Sequence, residues 1–225
     1  MHKEVHEAIA QLNVERVDSF TYLGSKLTPG NSIKAEVETR ISAATRAFYA
    51  LRILFKSRIL SRNTKVRLYA SMVRSVLLYG AETWSITQTL SERILRFENN
   101  ALKTICGPIY DPELGRWRRR YTREVRLMTS FPLVTDYMRA SRVRWLGHTL
   151  RAGPERTIQR VFTENMEGRR PRGRPRTRWK DVTRNDLQAL DVDPLEMQQL
   201  AQNRVQWRRF VVAAKGLNRP IAPAE

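Results

Sequence analysis

Apolar residues fall at helical spacing over most of this chain. Ile33, Val37, Ile41, Ala44, Phe48, Leu51 and Phe55 recur every three or four positions, with Lys34, Arg40, Arg46 and Arg52 on the other face. That period predicts one long amphipathic helix over 33–55. A second helix is predicted after the Ser61-Arg62-Asn63 start, with Val66, Tyr69, Val73, Val76 and Leu77 inward and Gly80 as its stop. A third runs from Ser91 to Cys106 on Ile94, Phe97, Ala101, Leu102 and Ile105, closed by Gly107-Pro108.

Ahead of these helices the pattern changes. Val14, Val17, Phe20, Tyr22, Leu23 and Leu27 are β-forming residues around Asp18-Ser19, and Thr28-Pro29-Gly30-Asn31 reads as a closing turn. A short hairpin is predicted over 12–28. Beyond Gly107, Pro132 opens a further helix containing Tyr137, Met138, Arg142, Arg144, Trp145 and His148, stopped at Gly153-Pro154. Two helices close the chain. The last has Asp193 as N-cap, Pro194 in its first turn and Glu196 completing a capping box, and buries Leu200, Trp207 and Val211. The fold class is therefore mainly α, divided as 1–30 hairpin, 31–107 three-helix module, 108–167 basic helical region, 168–180 extended ribbon and 181–225 C-terminal helices.

Charge sharpens this picture. The 225 residues hold 41 Lys and Arg against 22 Asp and Glu, a net +19 at pH 7. Of those cations 33 are Arg and 8 are Lys. Guanidinium forks pair bidentately with phosphate and stack on bases, whereas an ammonium acts as a point charge, so the bias points to a polyanion, nucleic acid first. The excess grows along the chain: residues 1–107 hold 16 basic against 9 acidic residues, residues 108–225 hold 25 against 13. A hydrophobic fraction of 41% permits a packed core. No apolar run approaches the ~20 residues needed to cross a bilayer. Met1-His2-Lys3-Glu4 lacks the apolar stretch of a secretory signal, so no membrane partner and no secretion are expected.

The densest basic stretch is 168–180, with seven cations, no acid, and Pro171 and Pro175 enforcing extended backbone. Arg169, Arg170, Arg172, Gly173, Arg174, Arg176 and Arg178 are candidate nucleic-acid contacts. Arg172-Gly173-Arg174 between two prolines resembles the core of an AT-hook, which lies in A·T-rich minor grooves. A solvated linker or nuclear-import signal is the alternative reading of the same run. Arg116, Trp117, Arg118, Arg119 and Arg120 interleave an indole among guanidiniums, and Arg142 and Arg144 add to the set. Trp117 reads equally as a base-stacking ring or a core side chain; Trp145 and Trp179, on helical spacing, read as core.

Catalytic chemistry is sparse. Asp191 and Asp193 precede a helix start and read as capping residues. Glu36 and Glu38 lie on different faces of a helix start and complement its dipole. His148 has no nucleophile or orienting acid nearby, and Cys106 reads as core. With one Cys and three scattered His, neither a disulfide nor a zinc site is expected, and no cofactor is called for. On the residues alone, this chain binds and does not obviously catalyse.

Phe20-Thr21-Tyr22-Leu23-Gly24-Ser25, Arg67-Leu68-Tyr69 and Ser75-Val76-Leu77-Leu78-Tyr79-Gly80-Ala81-Glu82-Thr83-Trp84 resemble the reverse transcriptases of LINE-type (non-LTR) retrotransposons. The likeness continues in the same order through Arg144-Trp145-Leu146-Gly147-His148, Gly173-Arg174-Pro175-Arg176-Thr177-Arg178-Trp179 and Gln206-Trp207-Arg208-Arg209. The resemblance implies a primer-grip-like hairpin at Tyr22, Leu23 and Gly24. It implies a thumb over 33–106 that tracks template–primer duplex, and a basic C-terminal region that holds RNA or target DNA. The family's aromatic-Ala-Asp-Asp catalytic segment, which lies ahead of the position of Tyr22, has no counterpart here. The chain is therefore expected to be inactive as a polymerase on its own. The partners implied are RNA, DNA, and the palm and fingers of a parent polypeptide, in a nuclear or nucleocytoplasmic setting. The competing reading from another class is a host architectural protein that reads A·T-rich minor grooves through Arg172-Gly173-Arg174.

Overall fold

The computed structural model describes residues 17–30, 32–164, 177–191 and 197–216. Mainly α, it opens with an antiparallel hairpin, β1 (Phe20–Tyr22) and β2 (Ser25–Leu27), in the register Phe20 to Leu27. The turn lies at Leu23-Gly24, not at Asp18-Ser19. Both residues take positive φ, +47° and +81°, the backbone hand that matches the twist of a two-residue hairpin. A leucine there hides the turn in the sequence, because left-handed backbone is unfavourable for it.

Helix α1 (Ile33–Ala50) buries Val37, Ala44 and Phe48, as its period requires. It does not run on to Phe55: the backbone breaks at Leu51 and a short α2 (Arg52–Lys56) turns Phe55 back to stack on Phe48, ring centroids 4.9 Å apart. Helix α3 (Arg62–Leu68) starts where expected, the Ser61 hydroxyl accepting from the Thr64 amide. It then widens into a π segment over Tyr69–Arg74 before α4 (Ser75–Leu77), and Gly80, at φ +73°, ends the run. The wide turn shifts the inward face, so Val73 and Arg74 are both buried while Val76 is only half-buried. A 3-10 turn (Ala81–Thr83) leads to α5 (Gln88–Cys106), capped by Thr87 and longer at its start than the periodicity indicates.

A second hairpin, β3 (Ile109–Asp111) and β4 (Arg116–Arg118), and helix α6 (Thr122–Thr129) follow. Neither is apparent in the residue pattern. Helix α7 (Val134–Leu150) is the spine of the molecule. Its first half, through Val134 and Met138, completes a core built on α1, α3 and α5. Its second half, through Ala140, Val143, Leu146 and Leu150, founds another core with α9 (Trp179–Gln188), α10 (Met197–Gln202) and α11 (Arg204–Ala214). A short α8 (Thr157–Thr163) packs on α7. The closing helix is thus two, broken at Asn203, whose side chain caps α11 through the amides of Val205 and Gln206. Trp207 and Val211 are buried and Leu200 half-buried. The proposed Asp193-Pro194-Glu196 start lies outside the described residues.

Trp207 sits directly over Gly147 and donates its indole N–H to the Val143 carbonyl at 3.0 Å. A methyl group at 147 would overlap the indole ring. Only glycine allows so close an approach, which ties the Arg144–His148 block to the Gln206–Arg209 block.

Candidate nucleic-acid interface

The first hairpin is clipped to α1 by polar contacts. Arg40 pairs with Glu36 (Nε to Oε1, 2.7 Å), donates to the Gly24 carbonyl, and lies over the Tyr79 ring at 4.6 Å. The Tyr79 hydroxyl donates to the Leu23 carbonyl at 3.0 Å, and Glu36 Oε2 accepts the Lys26 amide at 2.6 Å. Tyr22, Leu23 and Gly24, expected from the resemblance to be primer-grip-like, therefore sit on a braced tip. Phe20, Tyr22, Leu23 and Leu27 turn their apolar surface to solvent. Arg40, expected on the phosphate-facing side of its helix, is instead nearly buried as the brace itself.

Two further expected contacts are drawn inward for the same reason, a carboxylate within reach. Arg118 is gripped by Asp111 (2.6 Å) and Glu124 (2.7 Å) beneath the second hairpin. Arg142 makes a bidentate pair with Asp186 at 2.6 and 3.0 Å, joining α7 to α9. The other expected contacts among the described residues lie at or near the surface. Lys34, Arg46 and Arg52 are exposed along α1 and α2, Arg46 touching Ser42 and Arg52 lying over Tyr49. Arg116 and Arg119 are exposed around the second hairpin, Arg120 is half-buried, and Arg144 and Arg178 are exposed. Trp117 is 68% exposed, which decides against a core role. Trp145 is also on the surface, 5.2 Å from His148, contrary to the expectation of a packed indole. Trp179 does pack: its N–H donates to the Glu82 carbonyl at 2.7 Å. Arg169, Arg170, Arg172, Gly173, Arg174 and Arg176 lie outside the described residues.

Electrostatically, the key feature is where the acids are. Glu98, fully buried, accepts from Arg74 (2.8 Å), Arg126 (2.9 Å) and the Val134 amide (3.1 Å). Arg74 and Arg126 also hold the Pro132 and Phe131 carbonyls, so this triad staples α5 to the entry of α7. Glu36, Asp111, Glu124, Asp136 and Asp186 are likewise paired with arginines. The Arg118 guanidinium, aided by the Tyr121 amide, pulls the Glu124 carboxyl down to about 2 and lowers Asp111 as well. Burial beside Glu98 pushes the Tyr69 hydroxyl far above its ordinary range, and burial raises the Cys106 thiol, so neither ionises readily. Four carboxylates, Glu36, Glu98, Asp136 and Asp186, are thus buried against arginines, while Asp18, Glu38, Glu92, Glu113, Glu155, Glu164 and Asp191 share the surface with the exposed guanidiniums.

Sequence reasoning missed several contributors. Tyr110 stands exposed beside Trp117, Tyr121 stands exposed with the Arg118 guanidinium over its ring, and their only signal was proximity to the basic run. The Glu36–Arg40 spacing of four is compatible with a helical ion pair, although Glu36 was expected to complement the helix dipole and Arg40 to face outward. The Glu98 and Asp186 pairings span too much sequence to be read. Among the described residues no cluster of His, Cys, Asp or Glu could hold a metal, and no helix is long and apolar enough to cross a membrane.

No protein-family profile and no solved structure matches this chain. It is similar to an uncharacterized transposon-derived protein of Caenorhabditis elegans, 25% identical over 198 residues, which cover 86% of this chain and 70% of that protein. A transposon-derived relative that matches most of the chain agrees with a transposon origin.

Proposed function

We propose that this chain is the thumb and basic C-terminal region of a LINE-type retrotransposon reverse transcriptase. Its role is to hold template–primer duplex or other RNA and DNA for a catalytic palm supplied elsewhere, in the nucleus or while passing into it. The observation that carries the reading is the cationic excess at the surface: in a chain of net charge +19, Glu36, Glu98, Asp136 and Asp186 are buried against arginines while Lys34, Arg46, Arg52, Arg116, Arg119, Arg144 and Arg178 remain exposed. The braced hairpin, apolar on its outer side, supports it, since such a tip is suited to continue into a neighbouring sheet.

Fluorescence anisotropy with a labelled primer–template tests this. Affinity should fall steeply with salt, by a log–log slope of roughly −0.9 for each duplex phosphate neutralised. Lys34→Gln, Arg46→Gln and Arg52→Gln together should flatten that slope by roughly 2 to 3 and leave the melting temperature unchanged. No binding to hybrid, duplex or single strand at about 0.15 M salt refutes the reading. A strong A·T duplex preference erased by Arg172→Ala with Arg174→Ala would mark the architectural alternative instead.

A further inference from the structure

We propose that the β3–β4 hairpin is a stacking platform for the unpaired bases of single-stranded nucleic acid, with Trp117 and Tyr110 as the rings against which bases lie. This rests on the nucleic-acid reading above and names the part of the ligand this site takes.

The register pairs Tyr110 with Trp117 across the two strands, so both rings project from the same face. They sit edge to face, centroids 5.7 Å apart, with Tyr110 49% and Trp117 68% exposed. The opposite face is the anchored one. Ile109 and Arg118 are half-buried there, and Arg118 is clamped by Asp111 and Glu124. Asp111 Oδ1 also accepts the Glu113 and Leu114 amides and so sets the loop at the hairpin tip. An isolated two-stranded hairpin is marginal in water. Here a charged clamp, rather than the two large rings, fastens it to the body. An indole turned outward forfeits the burial that dominates aromatic energetics. Both rings are thus held rigidly in water, which is what a stacking surface requires.

The surroundings select the ligand. Arg116 is exposed at the base of the tip, Arg123 is exposed on α6, and Arg119 is exposed and steadied by Asn100 Oδ1 at 3.1 Å. Tyr121, 62% exposed, carries the Arg118 guanidinium over its ring at 4.4 Å. Alternating rings and guanidiniums track a phosphate backbone while offering π-faces to successive bases, a sequence-tolerant mode. Duplex bases already spend both faces on their neighbours, so only an unpaired strand can use the platform.

The test compares the full chain with Trp117→Ala, Tyr110→Ala and Trp117→Phe on labelled oligo(dT), oligo(U), an abasic oligonucleotide of equal length, and a DNA duplex. Trp117→Ala should weaken binding to both base-bearing strands about tenfold. Trp117→Phe should retain most of the affinity, and neither change should affect the abasic strand or the duplex. Urea midpoints of the variants should match the parent, because the ring contributes little burial. Unchanged single-strand affinity in Trp117→Ala and Tyr110→Ala, while the parent binds, overturns the platform and leaves the broader reading standing. Equal losses on abasic and base-bearing strands, or a loss of self-association in place of nucleic-acid affinity, also overturn it. A parent that binds no oligonucleotide at all defeats the broader reading itself.

Discussion

Replacing Glu98 with glutamine removes one negative charge and almost no volume, which makes it a sharp probe of the buried triad. In the parent, a carboxylate with no exposed surface neutralises the Arg74 guanidinium at 2.8 Å and the Arg126 guanidinium at 2.9 Å, both themselves buried. The amide of Glu98→Gln can still accept on its oxygen. Its NH₂ group, however, would face Arg126 or Arg74 donor to donor, and the pocket would hold two cations with no anion. Breaking a buried pair by removing one partner costs about 3 to 5 kcal/mol, and one acid serving two guanidiniums puts this case near the top of that range. Set against a typical domain stability of about 5 to 15 kcal/mol, the loss is a large fraction. Urea titration followed by far-UV circular dichroism measures it directly as a lowered midpoint. An all-apolar replacement of the triad should not restore stability, since Arg74 and Arg126 also satisfy the Pro132 and Phe131 carbonyls, which would then be orphaned. A stability loss below about 1 kcal/mol for Glu98→Gln would refute the claim that the triad staples α5 to α7.

Gly147→Ala pits two effects against each other: helix propensity favours alanine by about 1 kcal/mol, while overlap with the buried Trp207 indole costs about 1 to 3. The clash should win, and a raised melting temperature would contradict the packing. Arg142→Lys keeps the charge but cannot reproduce the bidentate pair with Asp186, and should lower the urea midpoint by an amount equivalent to about 2 kcal/mol. The second hairpin should respond to acid. Glu124 titrates at about 2 in the fold against 4.5 unperturbed, and Asp111 is lowered too. Its stabilisation is therefore complete above pH 4.5 and is lost as pH falls toward 2. Trp117 fluorescence or amide exchange in 109–118 should report local opening in that window and none between neutrality and pH 5.

The helical periods carried the architecture because each reports one continuous apolar face. The first core and the Trp207 and Val211 positions were visible for that reason. What escaped was either short or long-range. The β3–β4 strands are three residues each, too few for alternation to rise above the surrounding charge. The π segment at Tyr69–Arg74 leaves no mark in a 3.6-residue period, yet it is what turns Arg74 inward to Glu98. Among the candidate contacts, surface placement was legible for Lys34, Arg46 and Arg52 from the helix face. For Arg40, Arg118 and Arg142 the same logic failed, because an arginine goes to the nearest buried carboxylate. Asp186 stands far along the chain from Arg142 and announces itself in no local pattern.

Three residues within the blocks that carry the retrotransposon resemblance, Tyr79, Gly147 and Trp179, act as joints. Tyr79 ties the first hairpin to α1, the Glu82 carbonyl receives the Trp179 indole, and Gly147 admits Trp207. Each brings together segments remote in sequence, and each depends on a side chain, Tyr79, Trp179 or Gly147, whose replacement would leave a carbonyl acceptor unpaired or create a clash. Such positions constrain architecture, whereas an exposed guanidinium can move one helical turn and still meet a phosphate. The resemblance therefore speaks first to how the chain folds. Its binding reading stands on separate ground, the outward cations and the Tyr110–Trp117 face. Variants of the joints should change stability with affinity following only through the folded fraction, while variants of the outward set should change affinity with stability untouched. A joint variant such as Arg142→Lys that lost nucleic-acid binding while keeping its full urea midpoint would break that division.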